Sequence, residues 1–372
     1  VLKTRKVVAS GLVALLTAAT LAACGDAPDE ETNGGSGSGS EASSDVVPCI
    51  VSDAGGFDDK SFNQLSFEGA EQAADELGVK LIPVESNSEN DYGPNLESLV
   101  GQGCNVIVTV GFALAAATKE SAAANPDIKY ILIDDSADGG DDGQTFDGEA
   151  DQPNIKPLLY DTAQAAFLAG YAAADYTETG KVGTYGGLPF PTVTIFMDGF
   201  KQGAEYYAKE KDKDVKVVGW DGKDGSFTGG FEANEAATST AKQILDQDVD
   251  VILPVGGPIY QGAITAIEDS GKDVAMVGVD ADLYETDPST QDYVMTSILK
   301  DMKVSTYEAI MSADGDDFDF SPYIGTLEND GVGIAPFHNF EDKVNPDLAG
   351  ELDTIKSGII DGSIKVNSYL GG

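Results

Sequence analysis

Two halves of this chain repeat one strand–helix pattern, and that repeat restricts the fold more than any other feature. Moving the sequence by 134 positions brings Phe62 onto Phe196, and Phe67-Glu68-Gly69-Ala70-Glu71 onto Lys201-Gln202-Gly203-Ala204-Glu205. Further along, Cys104-Asn105-Val106-Ile107-Val108-Thr109-Val110-Gly111 resembles Val249-Asp250-Val251-Ile252-Leu253-Pro254-Val255-Gly256. A helical stretch in each half then leads to an apolar run closed by aspartate, Ile131-Leu132-Ile133-Asp134 and Val277-Gly278-Val279-Asp280. Short β-branched runs alternating with helical stretches call for a parallel sheet covered on both faces. The expected fold is therefore α/β, with two doubly wound parallel-sheet lobes. Open sheets of this kind bind ligands at the carboxyl ends of their strands. Each lobe brings one ring and one carboxylate to that edge, and two opposed edges make a cleft suited to a flat, polar, uncharged molecule.

The N-terminus belongs to another regime. Lys3, Arg5 and Lys6 form a basic head, Val7 to Ala22 is apolar, and Leu21-Ala22-Ala23-Cys24 closes the stretch. This is the pattern of a secretory signal, too short for a spanning helix, and its cysteine makes it resemble a bacterial lipobox. Residues 1–23 are expected to be a lipoprotein signal peptide and Cys24 the lipidated residue. Residues 24–45, rich in Gly, Ser and acids, have almost nothing to bury and are expected to form a flexible tether. Beyond it, one lobe is expected to comprise 46–160 plus about 298–318, and the other 161–297 plus about 319–372. The Gly-rich acidic run Asp135 to Gly143 lacks the regular ligand spacing of a calcium loop and reads as a solvated surface insertion. Several crossings between the lobes would make a hinge around which the cleft closes.

Charge removes whole classes of partner. The net charge is −42, and no arginine follows Arg5. Nucleic acid is excluded, because phosphate backbones are bound by clustered Lys and Arg. A nucleotide is disfavoured for want of a bidentate arginine clamp. The single histidine, His338, has no partners for a catalytic triad or a metal cluster, so no cofactor and no metal are expected. Cys49 opens the first strand and Cys104 the third. In the flavodoxin-like order those strands are neighbours, so an exported chain can join them by a disulfide.

The candidate chemistry lies at the strand ends. Asp53-Ala54-Gly55-Gly56-Phe57-Asp58-Asp59-Lys60-Ser61-Phe62-Asn63-Gln64 joins the first strand to the first helix. Ser61 and Gln64 fit a capping box that starts the helix at Phe62. Phe62 then offers a ring to the cleft and Asn63 an amide that both donates and accepts. A helix-start phenylalanine is ordinarily a core contact; the matching Phe196 in the second half is what makes the pair notable. Gly55-Gly56, Gly186-Gly187 and Gly256-Gly257 follow strands without a phosphate-loop motif, which suits close backbone contact with a neutral ligand. Asp134 and Asp280 can accept hydrogen bonds, or serve as an acid–base pair in glycoside chemistry. Lys300, after Met295-Thr296-Ser297-Ile298-Leu299, stands where the chain crosses between lobes and can bond a sugar hydroxyl.

Together with Ala166-Phe167-Leu168-Ala169-Gly170-Tyr171, Gly180-Lys181-Val182-Gly183, Phe196-Met197-Asp198-Gly199-Phe200, Val277-Gly278-Val279-Asp280-Ala281-Asp282 and Thr296-Ser297-Ile298-Leu299-Lys300, these residues resemble the basic membrane protein family. Its members are the PnrA-like nucleoside-binding lipoproteins of ABC transporters. The resemblance spans nearly all of the chain after the tether. It implies a type I periplasmic-binding-protein fold and, instead of an enzyme, a receptor that captures nucleosides, expected to be purine ones, for a membrane permease. The base would lie between Phe62 and Phe196. Asn63 and Asp134 would bond the base, Gly257, Asp280 and Lys300 would hold the ribose, and Asp53 would belong to the same site. The chain is expected to act as a monomer held by Cys24 on the extracytoplasmic face of the cell membrane. Two departures bear on which nucleoside is preferred: Leu283 stands where the family often has a polar residue, and an acidic insertion follows Asp134. Competing readings are a sugar or small-signal receptor of the same fold, a nucleoside hydrolase using Asp134 or Asp280, and a surface antigen without a small ligand.

Overall fold

A computed structural model of the chain describes residues 44–138, 150–315 and 317–371. Cys24 and most of the acidic insertion lie outside the described residues. Twelve strands among those described form two six-stranded sheets. The first contains β1 (Pro48–Val51), β2 (Ile82–Val84), β3 (Val106–Val110), β4 (Lys129–Ile133) and β5 (Ile155–Tyr160). The second contains β6 (Lys181–Gly186), β7 (Lys216–Val218), β8 (Val251–Val255), β9 (Ala275–Asp280) and β10 (Val294–Lys300). A late strand completes each: β11 (Tyr323–Gly325) pairs parallel with β5, and β12 (Val332–Ile334) antiparallel with β10. The orders are β2-β1-β3-β4-β5-β11 and β7-β6-β8-β9-β10-β12. The repeat in sequence is thus a repeat of topology, in the order that puts a ligand crevice at the strand ends.

The helices are α1 (Phe62–Leu77), α2 (Tyr92–Gly101), α3 (Ala115–Ala124), α4 (Thr162–Tyr176), α5 (Pro191–Lys211), α6 (Glu235–Leu245), α7 (Tyr260–Ser270), the single turn α8 (Leu283–Thr286), α9 (Met302–Ser312) and α10 (Leu348–Ile360). Two of them change sides. Helix α4 leaves β5 of the first sheet and packs on α5, while α9 leaves β10 of the second sheet and packs on α1. Both contacts need glycine at the repeated position. A Cβ on Gly69 would lie 2.2 Å from the Lys303 carbonyl oxygen, and one on Gly203 would lie 1.9 Å from that of Phe167. Ala-rich α4 and the glycines of α5 therefore bring two backbones close together, which fixes the helix that carries Phe196.

The chain crosses between the sheets after β5, after β10 and between β11 and β12. These crossings are tied to one another: the Asp161 amide donates to the Gly325 carbonyl at 2.8 Å, and the Asp301 amide to that of Gly331 at 3.0 Å. Cys49 and Cys104 are joined by a disulfide, with Cα atoms 6.0 Å apart, where β1 lies beside β3.

Three strands were not legible. The stretch holding β5 reads as a loop because Lys156 and Pro157 interrupt its apolar run; β11 and β12 are three residues each. Residues 319–372 were expected to stay with the second lobe, but Tyr323–Gly325 lengthen the first sheet. Strand β10 also belongs to the second sheet along its whole length, through Lys300, so the return to the first lobe begins with α9.

Candidate functional site

The loop from β1 to α1 is organised around a carboxylate. Helix α1 begins at Phe62, but its Ser61 cap makes no side-chain hydrogen bond, contrary to the expected capping box. Asp59 takes that role. Its Oδ1 accepts from the amides of Ser61 (3.0 Å) and Gln64 (3.1 Å), and its Oδ2 from that of Asn63 (2.9 Å). A charged acceptor serving three orphan helix amides outcompetes one hydroxyl, and the Ser61 Oγ is left buried without a partner. The cap locks the first turn, and with it Phe62 and Asn63.

Asn63 is buried, and its Nδ2 donates to Asp53 Oδ1 at 2.8 Å and to Asp59 Oδ2 at 3.2 Å. Burial raises the pKa of both acids, against the hydrogen bonds they receive. Asp53 also lies by the Phe62 ring: a Cβ on Gly111 would meet Asp53 Oδ2 at 3.1 Å and Phe62 Cε1 at 3.5 Å. Gly111, at φ +106, thus closes β3 directly over both.

The two aspartates of the repeat end their strands alike. Asp134 follows β4 and Asp280 ends β9, both in the left-handed region at φ 66 and 68. Such backbone is unfavourable for a residue with a Cβ and is held only where surrounding structure enforces it. Both carboxylates converge on Lys300, the last residue of β10. Lys300 Nζ donates to Asp134 Oδ2 at 2.8 Å and stands 3.4 Å from Asp280 Oδ1. The second contact is a charge pair without hydrogen-bond alignment, so Asp280 Oδ1 remains a buried acceptor with no hydrogen bond. The ammonium also lies 5.2 Å from the ring centre of Phe62, 4.9 Å from that of Phe196 and 5.8 Å from that of Tyr160. One cation therefore touches the ring and the acid of each half.

Burial pushes Asp134 up to about 6, opposed by the charge and hydrogen bond of Lys300. Asp280 is likewise raised by burial and held back by Lys300. Burial alone would lower Lys300, but the charges of Asp134 and Asp280 outweigh it and raise the ammonium's pKa.

Asp53, Phe62, Asn63, Asp134, Phe196, Asp280 and Lys300 are thus brought into one connected cluster. Gly257 lies in the turn after β8, at the same edge of the second sheet, with open space where a Cβ would stand. His338 is elsewhere, its Nε2 2.8 Å from Asp282 Oδ2 and its ring stacked on Tyr284 at 4.0 Å. Among the described residues no group of His, Cys, Asp and Glu is arranged to hold a metal.

Sequence reasoning missed Tyr160, the end of the unrecognised β5, whose hydroxyl pairs with Ser305 Oγ at 2.6 Å. It also missed three rings that meet across the cleft. Phe112, after β3, packs on Phe190 at 4.5 Å and Phe231 at 5.9 Å between ring centres; both partners stand beyond β6, in the second half. Phe112 and Phe190 directly follow, or closely follow, strand ends, which was the available signal.

Two doubly wound sheets, three tied crossings and a cluster of rings and acids contributed by both halves define a two-lobed solute receptor of the type I periplasmic class. The chain belongs to the family of PnrA-like ABC transporter substrate-binding proteins, whose model matches residues 47–367. It is 29% identical to basic membrane protein A of Borreliella burgdorferi over 347 residues, covering 90% of this chain and 91% of that one. It is 27% identical to the ABC transporter nucleoside-binding protein BmpA of Lactococcus lactis over 381 residues, covering 98% and 99%. Among solved structures, an ABC transporter solute-binding protein of Aeropyrum pernix matches with a TM-score of 0.75 at 25% identity, covering 87% of this chain and 94% of that one.

Proposed function

We propose that this substrate-binding protein captures a nucleoside, a purine one, in the cleft and presents it to the permease of an ABC importer. The observation that carries the reading is the ammonium of Lys300, 5.2 Å from the ring centre of Phe62 and 4.9 Å from that of Phe196, paired with Asp134 and Asp280. Aromatic faces from both halves enclose a layer of acceptors, as a flat molecule with N–H and O–H donors requires. Phe62 and Phe196 would stack on the base, Asp53, Asn63 and Asp134 would receive its N–H groups, and Asp280, Lys300 and the backbone at Gly257 would hold the ribose. The relative named as a nucleoside-binding protein supports the same assignment. A phosphate would enter an acidic cleft with no arginine to receive it, so nucleotides would bind poorly.

The same reading takes the chain to be a monomeric receptor rather than an enzyme, cleaved before Cys24, lipidated there and tethered to the extracytoplasmic membrane face. No helix among the described residues is long and apolar enough to span a membrane; the support for a lipid attachment is the basic head, the apolar stretch and the Leu21-Ala22-Ala23-Cys24 ending in the sequence. The test of the residue roles is a pair of variants. Asp280→Ala should weaken nucleoside binding far more than binding of the free base, because its partner is the ribose; Asp134→Ala should weaken both. Equal losses for base and nucleoside in Asp280→Ala would refute the division of roles.

A further inference from the structure

We infer that Asp59 is a positioning residue that fixes the orientation of the Asn63 amide and so makes the base-reading end of the cleft accept hydrogen bonds only. This rests on the nucleoside reading above and names the part of a base it selects. An asparagine amide can present either its N–H₂ or its oxygen. Here the N–H₂ end is claimed from two sides, by Asp53 Oδ1 at 2.8 Å and Asp59 Oδ2 at 3.2 Å. Turning the amide over would set its oxygen against two carboxylates, so the orientation is enforced by charge as well as by geometry. Its Oδ1 is then left buried and without a partner. Such an atom loses its hydration unless a ligand supplies a donor.

The consequence is a one-sided code. Asn63 Oδ1 and the Asp53 and Asp134 carboxylates are acceptors, and the N–H₂ that could have served an acceptor on the ligand is consumed inside the protein. A base edge with adjacent N–H donors, as in a 2-amino-6-oxopurine, satisfies this set. A 6-aminopurine edge offers an N–H₂ beside a bare ring nitrogen and leaves one acceptor facing another. The site therefore ranks guanosine above both inosine and adenosine.

Asp59→Asn tests the inference while retaining a good helix-capping residue. Its amide must place a donor either against the helix amides or against Asn63, which removes the enforced orientation. Calorimetric titration of the folded protein with guanosine, inosine and adenosine should show the parent preferring guanosine. In Asp59→Asn the guanosine-to-adenosine affinity ratio should fall about tenfold or more, as expected when a buried hydrogen-bond pair is lost to one ligand and not the other. Asp59→Ser keeps a capping hydroxyl for the helix amides but withdraws the carboxylate from Asn63, and should move the ratio in the same direction, which covers the case in which Asp59→Asn does not fold. Equal weakening of all three ligands, or a parent that prefers adenosine, would overturn the inference. A parent that binds none of the three would instead overturn the nucleoside reading itself.

Discussion

Replacing Lys300 by methionine removes one charge and almost no volume, and its effects should be large because of what remains. The side chain is buried, as are Asp134 and Asp280, and both carboxylates depend on the ammonium. Breaking a buried ion pair from one side leaves uncompensated charge and costs about 3–5 kcal/mol. Losing the contacts with Phe62 and Phe196 adds about 0.5–2 kcal/mol. Against a typical total stability of roughly 5–15 kcal/mol, this should lower Tm by on the order of 5–10 °C at pH 8. The pH dependence follows from the sign of the shifts. Burial holds the pKa of Asp134 in the folded protein at about 6, above the ordinary aspartate value of 3.8, so keeping it ionised opposes folding, and protonation below that pH relieves the cost. Without Lys300 both acids rise further, so the penalty should be greatest at pH 8 and shrink as pH falls toward 5. The Lys300 ammonium, with its pKa raised, stays charged in the parent throughout this window. Differential scanning calorimetry of Lys300→Met and parent at pH 8 and pH 5 reads both effects. A loss below 1 °C at pH 8, or a loss of equal size at both pH values, would refute this reasoning.

Other expectations follow from the same structure. Ligand affinity should fall about tenfold between pH 7.5 and pH 5, because protonating Asp134 near pH 6 converts an acceptor into a donor; titration calorimetry showing constant affinity would count against that role. Reducing the Cys49–Cys104 bond, which closes a separation of 55 residues, should destabilise the protein by roughly 2–4 kcal/mol, measurable as a shift in the urea midpoint of the Cys49→Ala/Cys104→Ala variant. Phe112→Ala should weaken ligand binding through faster dissociation, since it removes the ring that meets Phe190 and Phe231 across the cleft; an unchanged off-rate in stopped-flow would argue against a closing contact. Cys24→Ala should appear in the medium rather than in the membrane fraction, and continued membrane retention would contradict lipid attachment.

Much of the architecture could be read from the chain because the repeat encodes it twice. Alternating runs gave the central strands of both sheets, and the matched Phe62 and Phe196, with Asp134 and Asp280, pointed to one cleft. The cap of α1 was misassigned because spacing identifies Ser61 and Gln64 but cannot show that a carboxylate two residues earlier folds back onto the same amides. Tyr160 was invisible for a different reason: Lys156 and Pro157 obscure its strand, which is recognisable only once β4 and β11 flank it. The late strands β11 and β12 have no periodicity of their own and exist because each sheet has an edge at the crossings to receive them. The role of Lys300 was readable only as a position near a crossing; its burial between two acids and two rings is a property of the assembled halves.

The central claim is that opposed rings from the two halves grip a nucleobase. Titration calorimetry of the unlipidated protein with guanosine, inosine, adenosine and ribose, for the parent, Phe62→Ala and Phe196→Ala, tests it directly. Stacking is worth about 1–3 kcal/mol per base, so each substitution should weaken nucleoside binding by roughly ten- to a hundredfold, while ribose binds poorly to all three proteins. Tight ribose binding that ignores both substitutions would contradict the account and make this chain a sugar receptor of the same fold.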